Sequence, residues 1–97
     1  LAVPSTSLTV LALSALALPA YAADAKRSQA VRAEFQRENP CPSTGATRGK
    51  CPGYQADHRI AICAGGADRA GNLQWLTIED HKRKTKRDVM ECRSSGR

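Results

Sequence analysis

The segment YQADHRI, residues 54–60, sets an acid directly beside an imidazole, Asp57 then His58, and the chain's other histidine, His81, lies well downstream. Imperfect alternation through Tyr54, Ile60 and Ile62 predicts a strand or a bent hairpin arm here. Neighbouring side chains on a strand point to opposite faces. Asp57 can therefore serve one partner while His58 serves another. A carboxylate is a ligand for a hard divalent cation, and a neutral imidazole takes up a proton efficiently near neutral pH. Without further context, the same pair is also what a hydrogen-bonded strand histidine and a surface acid paired with Arg59 or Arg48 would look like.

Other elements must position this pair. Residues 26–38 (KRSQAVRAEFQRE) predict a helix stopped by Asn39-Pro40. Residues 42–53 are rich in Gly and Pro and predict a loop. A second loop, AGGADRAGN, covers residues 64–72, with Gly65 and Gly66 expected to supply positive φ. Leu73-Gln74-Trp75-Leu76 predicts a second short strand, in which Trp75 is a core residue. Thr77 is a candidate helix cap, with Glu79 and Asp80 at the positive end of the dipole. From Ile78 a helix is expected to run to about Glu91, with His81 in its first turn and apolar contacts from Val89 and Met90.

His58, Asn72 and His81 fall in that order, fourteen and nine residues apart, within DHRIAICAGGADRAGNLQWLTIEDHKRK. The acid-His pair, the Gly-Gly turn, the Asn-Leu and the final His-x-x-Lys resemble the signature of HNH endonucleases, over about Tyr54 to Asp88. The resemblance implies an α+β fold with a small ββα-metal finger at its centre, preceded here by the N-terminal helix and stapled by disulfides. It implies His58 as general base, Asp57 and His81 as metal ligands, and Asn72 as the brace that fixes the base through backbone hydrogen bonds. Lys84, in the final His-x-x-Lys, matches a phosphate contact. Many members carry two Cys-x-x-Cys pairs that bind a structural zinc. Here Thr77 and Asp80 stand where the second pair would be, so no structural zinc is expected.

The implied chemistry suits these residue types. Phosphodiester hydrolysis needs an activated water, neutralisation of charge on the phosphate and help for the departing 3′ oxygen. A base supplies the first and a divalent ion the other two. One carboxylate and one imidazole favour Mg²⁺, and the same donors would accept Mn²⁺, Ni²⁺ or Zn²⁺.

Net charge is +6, from 15 Lys and Arg against nine Asp and Glu, and every charged residue follows Ala22. Such an excess favours a polyanion through attraction and counterion release. Arg59, Lys82 and Lys84 are the candidate nucleic-acid contacts, the last two in the run KRKTKR. DNA is the expected partner, RNA is not excluded, and an immunity partner is left open. Sequence preference is expected to be weak, because backbone contacts carry no base information.

Residues 8–18 (LTVLALSALAL) are uncharged and apolar and are followed by Pro19 and Ala20-Tyr21-Ala22. That pattern predicts a secretory signal peptide over residues 1–22, although no Lys or Arg precedes the run. The run falls short of the ~20 apolar residues needed to span a bilayer, and no stable membrane insertion is expected after cleavage. Residues 23–53 are then a helix and a Cys/Pro/Gly-rich loop, and residues 54–97 the finger, together one domain.

So short a chain buries a thin core and needs reinforcement. Cys41, Cys51, Cys63 and Cys92 form no Cys-x-x-Cys pair, and in an oxidising compartment two disulfides are expected. Three connectivities are open, with Cys41–Cys51 and Cys63–Cys92 preferred. The combined expectation is a secreted or periplasmic, metal-dependent endonuclease. Its rivals are a non-catalytic nucleic-acid-binding module of the same shape and a cationic, disulfide-stapled protein acting on membranes or other polyanions.

Overall fold

The computed structural model describes residues 20–95. The expected leader lies outside the described residues except at its end, where Ala20 already opens a helix. This helix, α1 (Ala20–Glu38), begins six residues before the expected start at Lys26. Alanines occupy four of its first six positions and have the best helix propensity. It stops where expected. The Asn39 backbone N–H and side-chain amide both donate to Phe35 O, at 2.7 and 3.1 Å, and Pro40 cannot continue the helix.

Strands β1 (Tyr54–His58) and β2 (Leu73–Thr77) form an antiparallel ribbon, and α2 (Ile78–Ser94) follows directly. The order is helix, strand, strand, helix, so the expected α+β class holds. β1 ends at His58, four residues short of the expected limit. Beyond it, Arg59 N–H donates to Asn72 O at 2.7 Å, and the chain turns away into short 3-10 turns at Ile62–Ala64 and Ala70–Asn72.

The register fixes which side chains share a face. Ala56 pairs with Trp75, Asp57 with Gln74 and His58 with Leu73. Tyr54, Ala56 and His58 therefore share one face with Leu73, Trp75 and Thr77, and Asp57 shares the other with Gln74. Helix α1 covers the first face. Phe35, 3% exposed, packs its ring 5.2 Å from that of Trp75, and the Trp75 indole N–H donates to Asn39 O at 2.7 Å. Trp75 is thus a packing residue, as its apolar setting predicted. Helix α2 covers the second face.

Thr77 caps α2, accepting the Asp80 N–H at 3.1 Å. Val89 and Met90, expected to supply apolar contacts, are exposed. The ribbon lies under the first half of α2, and a covalent link holds the second half. Cys63–Cys92 ties the turn after β1 to the end of α2, with a Cα–Cα distance of 5.4 Å, and Cys41–Cys51 closes the Pro/Gly-rich loop at 5.5 Å. Both preferred pairs are therefore formed. They fit an oxidising compartment, and among the described residues no helix is long and apolar enough to cross a membrane.

Among the described residues the buried apolar set is small: Phe35, Cys41, Ala61 and Leu73. Covalent closure must carry a correspondingly large share of stability. Chain-entropy arguments assign about 3 kcal/mol to the shorter loop and about 4 kcal/mol to the longer. Replacing Cys63 and Cys92 together by Ser should lower unfolding free energy by about 3–4 kcal/mol, and Cys41 with Cys51 by somewhat less. Denaturant titration of the two double variants checks both the size and the order.

Candidate functional site

Asp57 sits near the end of β1 on the face covered by α2, 11% exposed at its side chain, and its two oxygens have different neighbours. Oδ2 accepts from Lys84 Nζ at 2.9 Å and lies 3.5 Å from the Gln74 amide. Oδ1 faces His81 Nε2 at 3.7 Å. His81 comes from the first turn of α2, as expected, and stays a third exposed.

Lys84, one turn further along α2, is 6% exposed and also donates to Asp88 Oδ2 at 2.7 Å. Burial alone would push its ammonium pKa down. The hydrogen bonds and charges of Asp88 and Asp57 outweigh that and raise it above the ordinary lysine value. Lys84, expected as a phosphate contact, is therefore committed to two carboxylates within the fold. Arg59 and Lys82, the other two expected contacts, are exposed. A groove of about 400 Å³ runs beside the site, lined by Arg59, Gln74, Arg83 and Arg87 among others. It gathers three guanidinium groups from β1's end and α2, two of them not singled out from the sequence.

His58 faces the other way. Its Nε2–H donates to Asp68 Oδ1 at 2.9 Å, and Asp68 Oδ2 accepts from Ser28 Oγ of α1 at 2.8 Å. The hydrogen bonds from His58 and then Ser28 hold the Asp68 carboxyl below its ordinary value. Partial burial opposes them, and the charges of His58 and Arg32 add to them. Neither Asp68 nor Ser28 was foreseen. An acid between Gly66 and Asn72 was a visible signal for Asp68, but nothing in the sequence pointed to a serine forty residues earlier.

Asn72 closes the loop between the strands. Its Oδ1 accepts from Ile60 N–H at 3.1 Å, and its Nδ2 donates to Ile60 O at 2.9 Å and to Ala67 O at 2.8 Å. One side chain thus ties both ends of the loop beside His58. The glycines divide the remaining work unequally. Gly65 has φ +99°, as expected, but Gly66 does not adopt positive φ. A Cβ on Gly66 would run into the Ile60 carbonyl. It is required for close approach, against the same carbonyl that Asn72 holds.

Ligand bonds to divalent ions run about 2.0–2.2 Å, so two atoms 3.7 Å apart can share one ion. Asp57 Oδ1 and His81 Nε2 satisfy that condition, while Lys84 and Gln74 draw Asp57 Oδ2 aside. Among the described residues no set of three or more His, Cys, Asp or Glu side chains is placed to hold a metal. Any ion held by this pair would have to take its remaining ligands from water or a bound anion. No family model, curated protein or solved structure matches this chain.

Two consequences can be measured. Lys84→Met should destabilise the protein by about 3 kcal/mol at neutral pH, because two carboxylates lose their shared cation. Because the Lys84 pKa is raised on folding, its contribution is complete below the ordinary lysine value near 10.4 and fades as pH rises through the higher folded value. The variant should therefore show a flatter alkaline limb in thermal melts. Gly66→Ala should cost about 1–3 kcal/mol and broaden the Asn72 side-chain amide signals by NMR, as the Ile60 carbonyl is displaced.

Proposed function

We propose that the protein is a metal-dependent endonuclease of the HNH type, exported to an oxidising compartment, that hydrolyses DNA with weak sequence preference. The observation that carries this reading is the division of labour at the end of β1. Asp57 meets His81 on the α2 face, while His58 meets Asp68 on the opposite face.

In-line displacement at phosphorus has its attacking and leaving oxygens on opposite sides of the phosphorus, so a base and an ion anchored by separate residues suit it. His58 takes the proton of the attacking water. Asp57 and His81 would hold the divalent ion, which supplies charge neutralisation at the phosphate and the departing oxygen when bound. Arg59, Lys82, Arg83 and Arg87 offer exposed cations for the flanking phosphates. Asn72 keeps the loop beside His58 in place.

One observation favours a second reading. Lys84 already neutralises Asp57 without any metal, as a non-catalytic nucleic-acid-binding module would require. Plasmid nicking by the oxidised protein separates the two. The enzyme reading expects supercoiled DNA to be relaxed with Mg²⁺ or Mn²⁺ and spared in EDTA. His58→Ala should lower the rate by about 10²–10⁴-fold with DNA binding retained. Folded protein that shifts DNA on a gel yet never cuts it with any of these ions would give the second reading its place.

A further inference from the structure

We propose that Asp68 is the positioning residue of His58, that it makes Nδ1 the proton-accepting nitrogen, and that Ser28 of α1 holds Asp68 for that task. This inference rests on His58 being the general base.

Each oxygen of the Asp68 carboxylate has its own donor, His58 Nε2 at 2.9 Å and Ser28 Oγ at 2.8 Å. An ionised carboxylate only accepts hydrogen bonds. The hydrogen of a neutral imidazole must then sit on Nε2, which leaves the lone pair on Nδ1. Asp68 therefore selects one of two tautomers and at the same time fixes the rotation of the ring. Both side chains are about a quarter exposed or less, so the pair is partly sheltered while water still reaches the ring.

In the hydrolytic step the water's O–H bond breaks as its oxygen bonds to phosphorus, and the proton goes to Nδ1. The P–O3′ bond breaks and the leaving oxygen takes a proton from solvent. The imidazolium keeps its Nε2–H on Asp68, whose negative charge stabilises the new positive one. The same logic orients the imidazole in serine hydrolase triads.

Ser28 brings α1 into the site. It lies on the third turn of that helix, and Arg32 one turn further on donates weakly to Ala56 O at 3.4 Å, so α1 grips β1 on the His58 face. The helix that covers the apolar face thus also aims the carboxylate behind the base.

The test compares wild type, Asp68→Asn and Ser28→Ala, each with ¹⁵N-labelled histidine, with His81→Ala used to assign the two rings. Spectra are taken above neutral pH, and nicking rates are measured in Mg²⁺. Wild type should show His58 as the Nε2–H tautomer. Asp68→Asn should populate the Nδ1–H tautomer and lose about 10²–10⁴-fold in kcat with KM nearly unchanged. Ser28→Ala should lose about 5-fold, the worth of one hydrogen bond, with the tautomer shifted in part.

If Asp68→Asn fails to fold, Ser28→Ala decides by itself, and a wild-type spectrum and rate in that variant overturn the proposal. A folded Asp68→Asn with the wild-type tautomer and wild-type rate overturns it and leaves the nuclease reading standing. A wild type that never cuts, whatever its spectrum, removes the nuclease reading and with it the role of Asp68 as partner of a base.

Discussion

A two-stranded ribbon with five residues in each strand is at best marginally stable in water, and here both of its faces have to be covered. The two faces are covered by different chemistry. On one, α1 lays Phe35 against Trp75 and closes a small apolar core with Leu73 beneath it. On the other, α2 brings a buried ammonium against a carboxylate. Because side chains alternate along β1, adjacent residues report to these two environments separately. Asp57 belongs to the charged side and His58 reaches out from the edge of the apolar one.

The charged side explains why Lys84 is buried although it sits within a run of exposed cations. Asp57 on the ribbon and Asp88 one turn along α2 both need a counter-charge near them, and Lys84 lies between them. A buried ion pair of this kind contributes little net stability, but losing one partner costs much. It also orients. With Oδ2 held by Lys84, Oδ1 is the Asp57 oxygen that faces His81. The carboxylate is thereby presented through one oxygen, which suits a site in which water and an anion complete the coordination of an ion.

The loop between the strands has the opposite character. It gives only Ala61 to the buried apolar set and is held by one amide side chain, one glycine that lets backbones approach closely and one disulfide. These devices are directional and short-range, so small displacements in the loop are felt at His58. In the proposed reading that is where rigidity is needed, because proton transfer depends on the placement of a single ring.

What the sequence by itself determined was whatever rests on local rules. Alternation, the glycine-rich loop, the Thr77 cap and the stop at Asn39-Pro40 were legible because propensity and capping act over a few residues. The order of the two strands and the last helix followed from the pattern of segments, whereas three cysteine connectivities stayed open and the fold decided between them. The grouping of Asp57 with His81 was readable from the resemblance, which also offered Lys84 as a phosphate contact but could not show that Lys84 turns inward to Asp57 and Asp88. Helix α1 begins earlier than expected because the alanines at 20, 22, 23 and 25 carry it back into the end of the expected leader. The tertiary structure alone decided that Asp68 and Ser28 stand behind His58, since their meeting depends on where α1 crosses the ribbon. It alone decided the role of Gly66, which is set by a carbonyl six residues earlier in the chain and not by its own φ. In each case the deciding contact joins segments that are separate in sequence, and such contacts are fixed by packing, which local pattern does not encode.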